Sequence, residues 1–566
     1  MRRPLAVLLA PLLCVGVLAA PGAQAAKRNP GDLDTGFGTQ GTRLSALWST
    51  GDDVTGVTKL SEDEDDALIV SGSTKRNDAA GDPHLELSKF GSNGTNGNFG
   101  NFGRATMMRQ KGAVANAVTT QANDRVVSAG YMRPASGGKQ FFVARHTIDT
   151  EHYPGWADYS FGTAGGVETQ VGGDNDAEAM GVAMTPDQRI VAGGRAKVSG
   201  SNAFGVVRYL SNGTVDSSFG SANGVTTDFG SDDLARAIAV QPDGKVMAAG
   251  KSGSKVAVAR YQTNGVLDPS FGSGGKVAFA VGDSVEARAM SLLPDGRIVL
   301  AGVINQGGRE NTFVARLMSN GAFDPSFGAG GKVVVSLSGG NDAANAVAVQ
   351  PNGQVLTGGY ADSGTTRDFA VARFNPNGSL DIGFGLGGSV YTSFGQYGEE
   401  ATAMLLQRDG KIVLAGWARK ADGTKSIALA RYHSDQPLAS IAFPARQVKR
   451  KNFRAISGSV TGANVTSAGV AIQKLNRKLQ RRGICQWMMP AGFVFRTKAY
   501  TDSRGKKVCK PTRWYEPKTW SKSGGVGYYS LKINPFKAGL YEISVRGAAD
   551  KVNQETPTTK RVRVVR

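Results

Sequence analysis

The side chains that most often do chemistry are sparse in these 566 residues. There are four histidines: His84, His146, His152 and His433. His146 and His152 are close in sequence, but no carboxylate or cysteine set around them has the spacing of a metal centre, and they read as isolated loop histidines. The run Ser61-Glu62-Asp63-Glu64-Asp65-Asp66 is rich in oxygen ligands. It lacks the alternating, glycine-containing pattern of a calcium loop and reads as a solvated turn. The glycine-rich stretch Gly91–Gly103 has no Lys-Ser/Thr ending with which to hold a phosphate, and no nucleophile elbow is present. No catalytic residue, cofactor-binding residue or metal ligand is assigned, and no cofactor is expected.

Two other patterns carry charge or sulfur. Arg208, Arg260, Arg316 and Arg373 are each followed eight residues later by an aspartate: Asp216, Asp268, Asp324 and Asp381. A residue present in nearly every copy of a repeat builds the repeat, so an Arg–Asp contact or an Asp-capped turn is the expectation. A ring of arginines lining a central channel as an anion site is the alternative. The chain has three cysteines. Cys14 lies in a leader with Arg2 and Arg3 ahead of an apolar stretch, Leu5 to Ala20, and a small-x-small site, Ala23-Gln24-Ala25. This reads as a signal peptide over residues 1–25. Cys485 and Cys509 remain, and two cysteines in an exported chain are expected to pair as a disulfide.

These residues must be positioned by elements, and the elements repeat. A Phe-Gly pair recurs at Phe37, Phe99, Phe161, Phe219, Phe271, Phe327 and Phe384, at spacings of 52–62 residues. Between these anchors Pro294-Asp295-Gly296-Arg297-Ile298-Val299-Leu300-Ala301-Gly302 has close copies at residues 242–250, 351–359 and 408–416. Asp-Gly and Asn-Gly admit the positive φ of a two-residue hairpin. The phrase Phe313-Val314-Ala315-Arg316 reads as a third strand, and Lys332 to Leu337 as a fourth. Four short strands per unit fit a propeller blade. The first half-unit, at Asp34 to Gly38, supplies the anchor that is missing after Tyr432. Counting hairpins at Asp66, Asp124, Asp187, Asp243, Asp295, Asn352 and Asp409 gives seven. The expected fold is all-β: a seven-bladed β-propeller over residues 26–436, with four-stranded blades and the N-terminal segment closing the last, followed by an Ig-like β-sandwich over 437–566. The phrases Asp-x-Ser-Phe-Gly, Asp-Gly-Lys-Ile-Val-x-Ala-Gly and Phe-x-Val-Ala-Arg-Tyr resemble the delta-60 repeat family of bacterial β-propeller proteins, across about residues 30–434. The resemblance implies a secreted or surface-exposed propeller and no established chemistry.

Charge divides the chain. Residues 437–566 hold 27 Lys/Arg against 5 Asp/Glu, a surplus of 22. The whole chain is +20, so the preceding residues are slightly negative. Strand-like runs at Phe453 to Thr461, Gly492 to Tyr500, Tyr528 to Ile533 and Gly539 to Val545, with Trp487 and Trp514 near the cysteines, resemble an Ig-like sandwich. The expected function is a non-enzymatic binding or scaffolding protein, secreted or held non-covalently at the cell surface, with no membrane span in the mature chain. Its propeller face would recognise a ligand or partner. Residues 437–566 would attach to an anionic extracellular polymer such as a wall polymer, acidic polysaccharide or DNA. The alternative is an extracellular enzyme acting on polysaccharide, a hydrolase or lyase.

Overall fold

A computed structural model describes residues 30–434 apart from 46–53, 63–66, 76–82, 96–103, 107–111, 122–124, 135–136, 148–156, 222, 363–365 and 408–409. Past residue 434 it describes strand segments without their side chains. The leader at 1–25, His152, most of the acidic run and Cys509 lie outside the described residues, as does the side chain of Cys485. The expected disulfide and signal peptide therefore fall there too. Among the described residues no helix is long and apolar enough to cross a membrane.

The strand plan is seen most simply in residues 284–335. Ser284–Leu292, Ile298–Gln306, Arg309–Leu317 and Lys332–Val335 pair antiparallel in that order. The first turn is a three-residue loop, not the two-residue one expected. Gly296 N–H donates to Leu293 C=O, and Leu293 N–H donates to Arg297 C=O. Pro294 and Asp295 make the turn, and Gly296, at φ +87°, takes the left-handed step that follows it. At residues 185–189 the same hydrogen bonds form with Gln188 at φ 68° in the glycine's place.

Six blades consist of four consecutive strands, over residues 54–106, 114–169, 177–227, 233–279, 284–335 and 342–392; they are called blades 1 to 6 below. The expectation of seven blades from seven hairpins is corrected here. The hairpin between Glu399–Leu406 and Ile412–Arg419 is followed by a third strand, Lys425–Tyr432, and then by no fourth. Thr42–Ser45, from the other end of the repeat region, pairs with Lys425–Tyr432 instead. A hairpin count registers first-to-second strand connections only, and it overstates the number of continuous blades by one. The composite made from the two ends is called the closing sheet. The Ig-like part of the expectation is not supported either. The strand segments after residue 437 distribute over sheets of four, six and two strands, and the side chains that would define a sandwich core lie outside the described residues.

First strands of successive blades contact one another, and those of blade 1 and blade 6 both contact the first strand of the closing sheet, so the first strands encircle an axis. Apolar clusters fill the spaces between neighbours. Val191, Phe204 and Val206 of blade 3 pack with Ala235, Val246, Ala248 and Ala257 of blade 4. Both faces of a third strand are thus covered, which is why Phe313, Val314, Ala315, Arg316 and Leu317 are all buried despite their alternation.

Candidate functional site

Two sets of polar side chains stand out, one at each end of the first strands. Near the hairpin end, each recurring arginine bonds the aspartate that follows it. Nitrogen–oxygen distances are 2.7 Å for Arg208–Asp216, 2.9 Å for Arg260–Asp268 and 2.8 Å for both Arg316–Asp324 and Arg373–Asp381. Arg145–Asp158 (2.9 Å) and Arg431–Asp34 (2.8 Å) are the same contact at longer sequence separation. The guanidinium lies over the anchor phenylalanine at 4.6–4.8 Å, on Phe161, Phe219, Phe271, Phe327, Phe384 and Phe37. It also reaches the next turn along the ring, with Arg208 donating to Thr263 C=O and Arg316 to Pro376 C=O, each at 2.6 Å. Burial pushes the Asp324 carboxyl up, but the Ser326 hydroxyl and amide, Arg297 and Arg316 outweigh it and hold it well below the usual carboxylate range. These arginines are buried, 1% exposed at Arg373. They fasten neighbouring blades and do not form an anion ring in the channel.

The histidines join this framework. His84 and His146 lie on third strands and are buried, not in loops. Burial pushes the His146 imidazole down to about 4 against the attraction of Asp158, so it is neutral at ordinary pH. His433 Nε2 lies 3.4 Å from Asp34 Oδ1. Among the described residues no group of three or more His, Cys, Asp or Glu is placed to hold a metal ion.

The second set lines the axis toward the opposite end. Each of six first strands has its pairing register broken at one residue, a β-bulge at Asn116, Met180, Arg236, Arg288, Asn345 and Thr402. The flanking residues are Ala, or Gly on one side of Met180, and all are buried, while the bulged residue is partly exposed. The glycine of Val-x-Ala-Gly makes room for the bulge. A Cβ on Gly302 would sit 1.9 Å from Glu286 C=O, and one on Gly416 1.9 Å from Glu400 C=O. The frame is constant, and the side chain it presents to the channel varies around the ring, Asn, Met, Arg, Arg, Asn and Thr in turn.

Those changing side chains are connected. Arg236 Nε meets Glu286 Oε1 at 2.7 Å, and Arg288 Nε meets Glu286 Oε2 at 3.4 Å. Arg288 Nη1 donates to Asn345 Oδ1 (2.9 Å), and Asn345 Nδ2 donates to Glu400 Oε1 (2.9 Å). Arg367 Nη1 donates to Glu400 Oε2 (3.2 Å) while covering the Tyr360 ring at 3.7 Å. The Tyr360 hydroxyl donates to Glu310 Oε2 at 2.5 Å. This arc runs from blade 4 to the closing sheet. Across the axis, blades 2 and 3 repeat its end: Asn116 donates to Glu178 (3.2 Å), Lys139 pairs with Glu178 (2.8 Å), and Lys139 covers Tyr131 at 4.1 Å. Burial pushes the Glu286 carboxyl up, but Arg236 and Arg288 outweigh it and hold it below its ordinary range. Such an arrangement presents fixed donors and acceptors. It holds Glu286 ionised, with no proton to give.

Reading the sequence for chemistry missed these residues because none sits in a motif. The signal was present as the variable x of Ala-x-Ala inside an otherwise constant phrase: Ala235-Arg236-Ala237, Ala287-Arg288-Ala289, Ala344-Asn345-Ala346 and Ala401-Thr402-Ala403.

The repeat region matches a β-propeller repeat family described as a domain of unknown function (DUF5122) beta-propeller, over 185–219, 241–271, 293–327, 350–384 and 407–435. Four of these segments end on an anchor phenylalanine; the fifth lacks one, and Phe37 stands in its place beneath Arg431. Among solved structures the chain aligns with Sqt1 from Chaetomium thermophilum at 13% identity and TM-score 0.37, covering 69% of this chain and 100% of that one. It aligns with the polysaccharide lyase Uly1 at 9% identity and TM-score 0.37, covering 72% and 98%. A glucose dehydrogenase aligns at 12% identity and TM-score 0.31, covering 69% and 99%. Likenesses of this degree carry no functional statement. No curated protein matches the chain.

Proposed function

We propose that this is a non-enzymatic binding or scaffolding protein that acts outside the cell, secreted or held non-covalently at its surface. In this reading the propeller recognises a ligand through the variable ring of the axial channel, and residues 437–566 attach the protein to anionic extracellular polymer. The observation that carries it is the bulge frame. A constant backbone device displays Asn, Met, Arg, Arg, Asn and Thr in turn, and such variation within a fixed frame is what a recognition surface requires. A polysaccharide hydrolase needs one carboxylic acid able to give a proton, and Glu286, the carboxylate central to the arc, is held ionised by two arginines. The charge surplus of residues 437–566 supports attachment through counterion release.

The test uses the full chain on an immobilised sulfated polymer across a salt series. Retention should fall steeply with salt. Replacing Lys449, Arg450, Lys451, Arg481 and Arg482 by Gln should lower the eluting salt concentration, and Arg288→Ala should not. Salt-independent retention, or none at low salt, would reject the attachment. Depolymerisation of an acidic polysaccharide that is lost in Glu286→Gln would replace the binding reading by the hydrolase or lyase alternative.

A further inference from the structure

The closing sheet carries a cleft of about 720 Å³, within the roughly 300–1,000 Å³ typical of small-ligand sites. Its walls come from three places. Leu44 stands near the end of Thr42–Ser45, Phe394 to Tyr397 form the turn ahead of Glu399–Leu406, and Arg419, Lys420 and Ser426 flank the hairpin joining the second and third strands. This turn and this hairpin lie at the end of the sheet away from the arginine–aspartate fasteners.

The chemistry of the walls is one-sided. Tyr397 is 44% exposed and Leu44 47%, so an apolar surface faces solvent within the cleft. The Gln396 amide donates to the Tyr397 hydroxyl at 3.0 Å and keeps its carbonyl oxygen to offer. Among the described residues neither Arg419 nor Lys420 forms an ion pair. Asp422, on the same turn as Lys420, is bound by the Thr424 hydroxyl at 2.6 Å and is also attracted by Lys420, which leaves Arg419 as the wall cation that faces no carboxylate among the described residues. Lys425 lies over the Trp417 ring at 4.2 Å and adds a third cation beside the cleft. The neighbouring acid Glu399 is fully buried and bonded inward to Phe394 N–H (3.1 Å), so it does not neutralise them.

We propose that this cleft binds a carboxylated sugar unit, a uronate residue within an acidic oligosaccharide. A sugar ring has a C–H face suited to Tyr397 and Leu44, hydroxyls suited to Gln396, and, in a uronate, a carboxylate suited to the Arg419 fork. Inorganic phosphate would leave the apolar wall unused, and a fatty acid would leave the Gln396 amide unused. The inference rests on the binding reading above and assigns a second surface of the propeller to it, separate from the channel ring and from residues 437–566.

The experiment is calorimetric titration of the full chain with tetragalacturonate at about 0.15 M salt, where charges more than about 8 Å apart are largely screened. Arg419→Gln should weaken binding about tenfold or more, as loss of a charged hydrogen bond does, and Tyr397→Ala should weaken it comparably. A neutral tetrasaccharide of glucose should not bind. Lys255→Gln, at an exposed position of blade 4 outside the cleft, the channel ring and residues 437–566, should bind as the parent does. Unchanged affinity in Arg419→Gln and Tyr397→Ala, equal binding of the neutral tetrasaccharide, or no binding by the parent would each overturn the site. Loss confined to Lys449→Gln/Arg450→Gln would also overturn it, while leaving the attachment through residues 437–566 standing.

Discussion

The two ends of a blade obey opposite rules. At the hairpin end the same arginine, aspartate and phenylalanine meet in six copies, with distances that agree within 0.2 Å, while blade 1 has Lys89 at the arginine position. At the bulge the backbone is equally constant, but the side chain is Asn, Met, Arg, Arg, Asn and Thr in turn. Repetition marks what the ring needs in order to stand. Variation inside a repeated frame marks where the chain is free to meet something else. Substitutions at the two ends should therefore differ in kind: stability should suffer at the first and hardly at the second.

The sharpest test of that contrast is Arg373→Ala against Arg236→Ala. Asp381 is paired with Arg373 and otherwise accepts only from neutral donors, the Gln354 amide at 2.6 Å and Gly383 N–H at 3.1 Å. Removing the guanidinium leaves a half-buried carboxylate with no cation and uncovers Phe384, a loss of about 3–5 kcal/mol. Arg236 is a third exposed, and its removal should cost less than about 1 kcal/mol. Urea unfolding followed by fluorescence checks both, and equal losses would erase the distinction. The next largest effect tests the bulge itself. Gly302→Ala places a methyl group 1.9 Å from Glu286 C=O and 2.9 Å from Arg288 N, so the bulge must move at a cost of about 1–3 kcal/mol. Stability equal to the parent's would show that the glycine does not hold the frame open.

A pH effect of intermediate size belongs to the seam between blade 6 and the closing sheet. Burial pushes the Glu399 carboxyl up, and the neighbouring Asp368 adds to it, bringing it to about 7. A proton there supplies the donor that Glu399 Oε2 otherwise lacks. The unfolded glutamate titrates near 4.5, so folding takes up a proton between those values. The stability it contributes is complete below 4.5 and is lost as pH rises through about 7. The fasteners run the other way: with Asp324 held low, their contribution is present above 3.8 and is lost only as pH falls toward the depressed value. The melting temperature of Glu399→Gln, whose amide donates at every pH, should change less than the parent's between about pH 5 and 8. Identical pH profiles would reject the shared proton. The smallest effect is a gain. Gln188 occupies the left-handed step that glycine fills in the sister hairpins, and Gln188→Gly should stabilise by up to about 1 kcal/mol, read as a rise in melting temperature.

The sequence showed the fasteners more plainly than the channel. An arginine eight residues before an aspartate, repeated with the strand phrase around it, is a local pattern, and local patterns survive in a linear text. Hairpin positions were legible for the same reason, though the loops hold three residues because Gly296 comes after the turn and not inside it. The ring was not legible. Arg236 and Glu286 lie 50 residues apart, and Asn345 and Glu400 lie 55. Their meeting depends on a register slip that only the paired strand reveals. His146 was misplaced because the third strand of blade 2 runs on to Thr147 and buries it. The blade count went astray because a hairpin marks a first-to-second strand connection alone, and the seventh hairpin has no fourth strand following it in the chain.

That borrowed strand has a consequence in time. Asp34 and Arg431 are 397 residues apart, and synthesis at roughly 5–20 residues per second puts about 20–80 s between their appearances. Throughout that interval Asp34 lacks its guanidinium and Phe37 the arginine that covers its ring, and the outer edge that Thr42–Ser45 will cover does not yet exist. The circle can be joined only by the last strand of the repeat array, so its completion reports on the whole array: a chain broken off before Arg431 leaves its first segment unfastened, however well the blades between have formed.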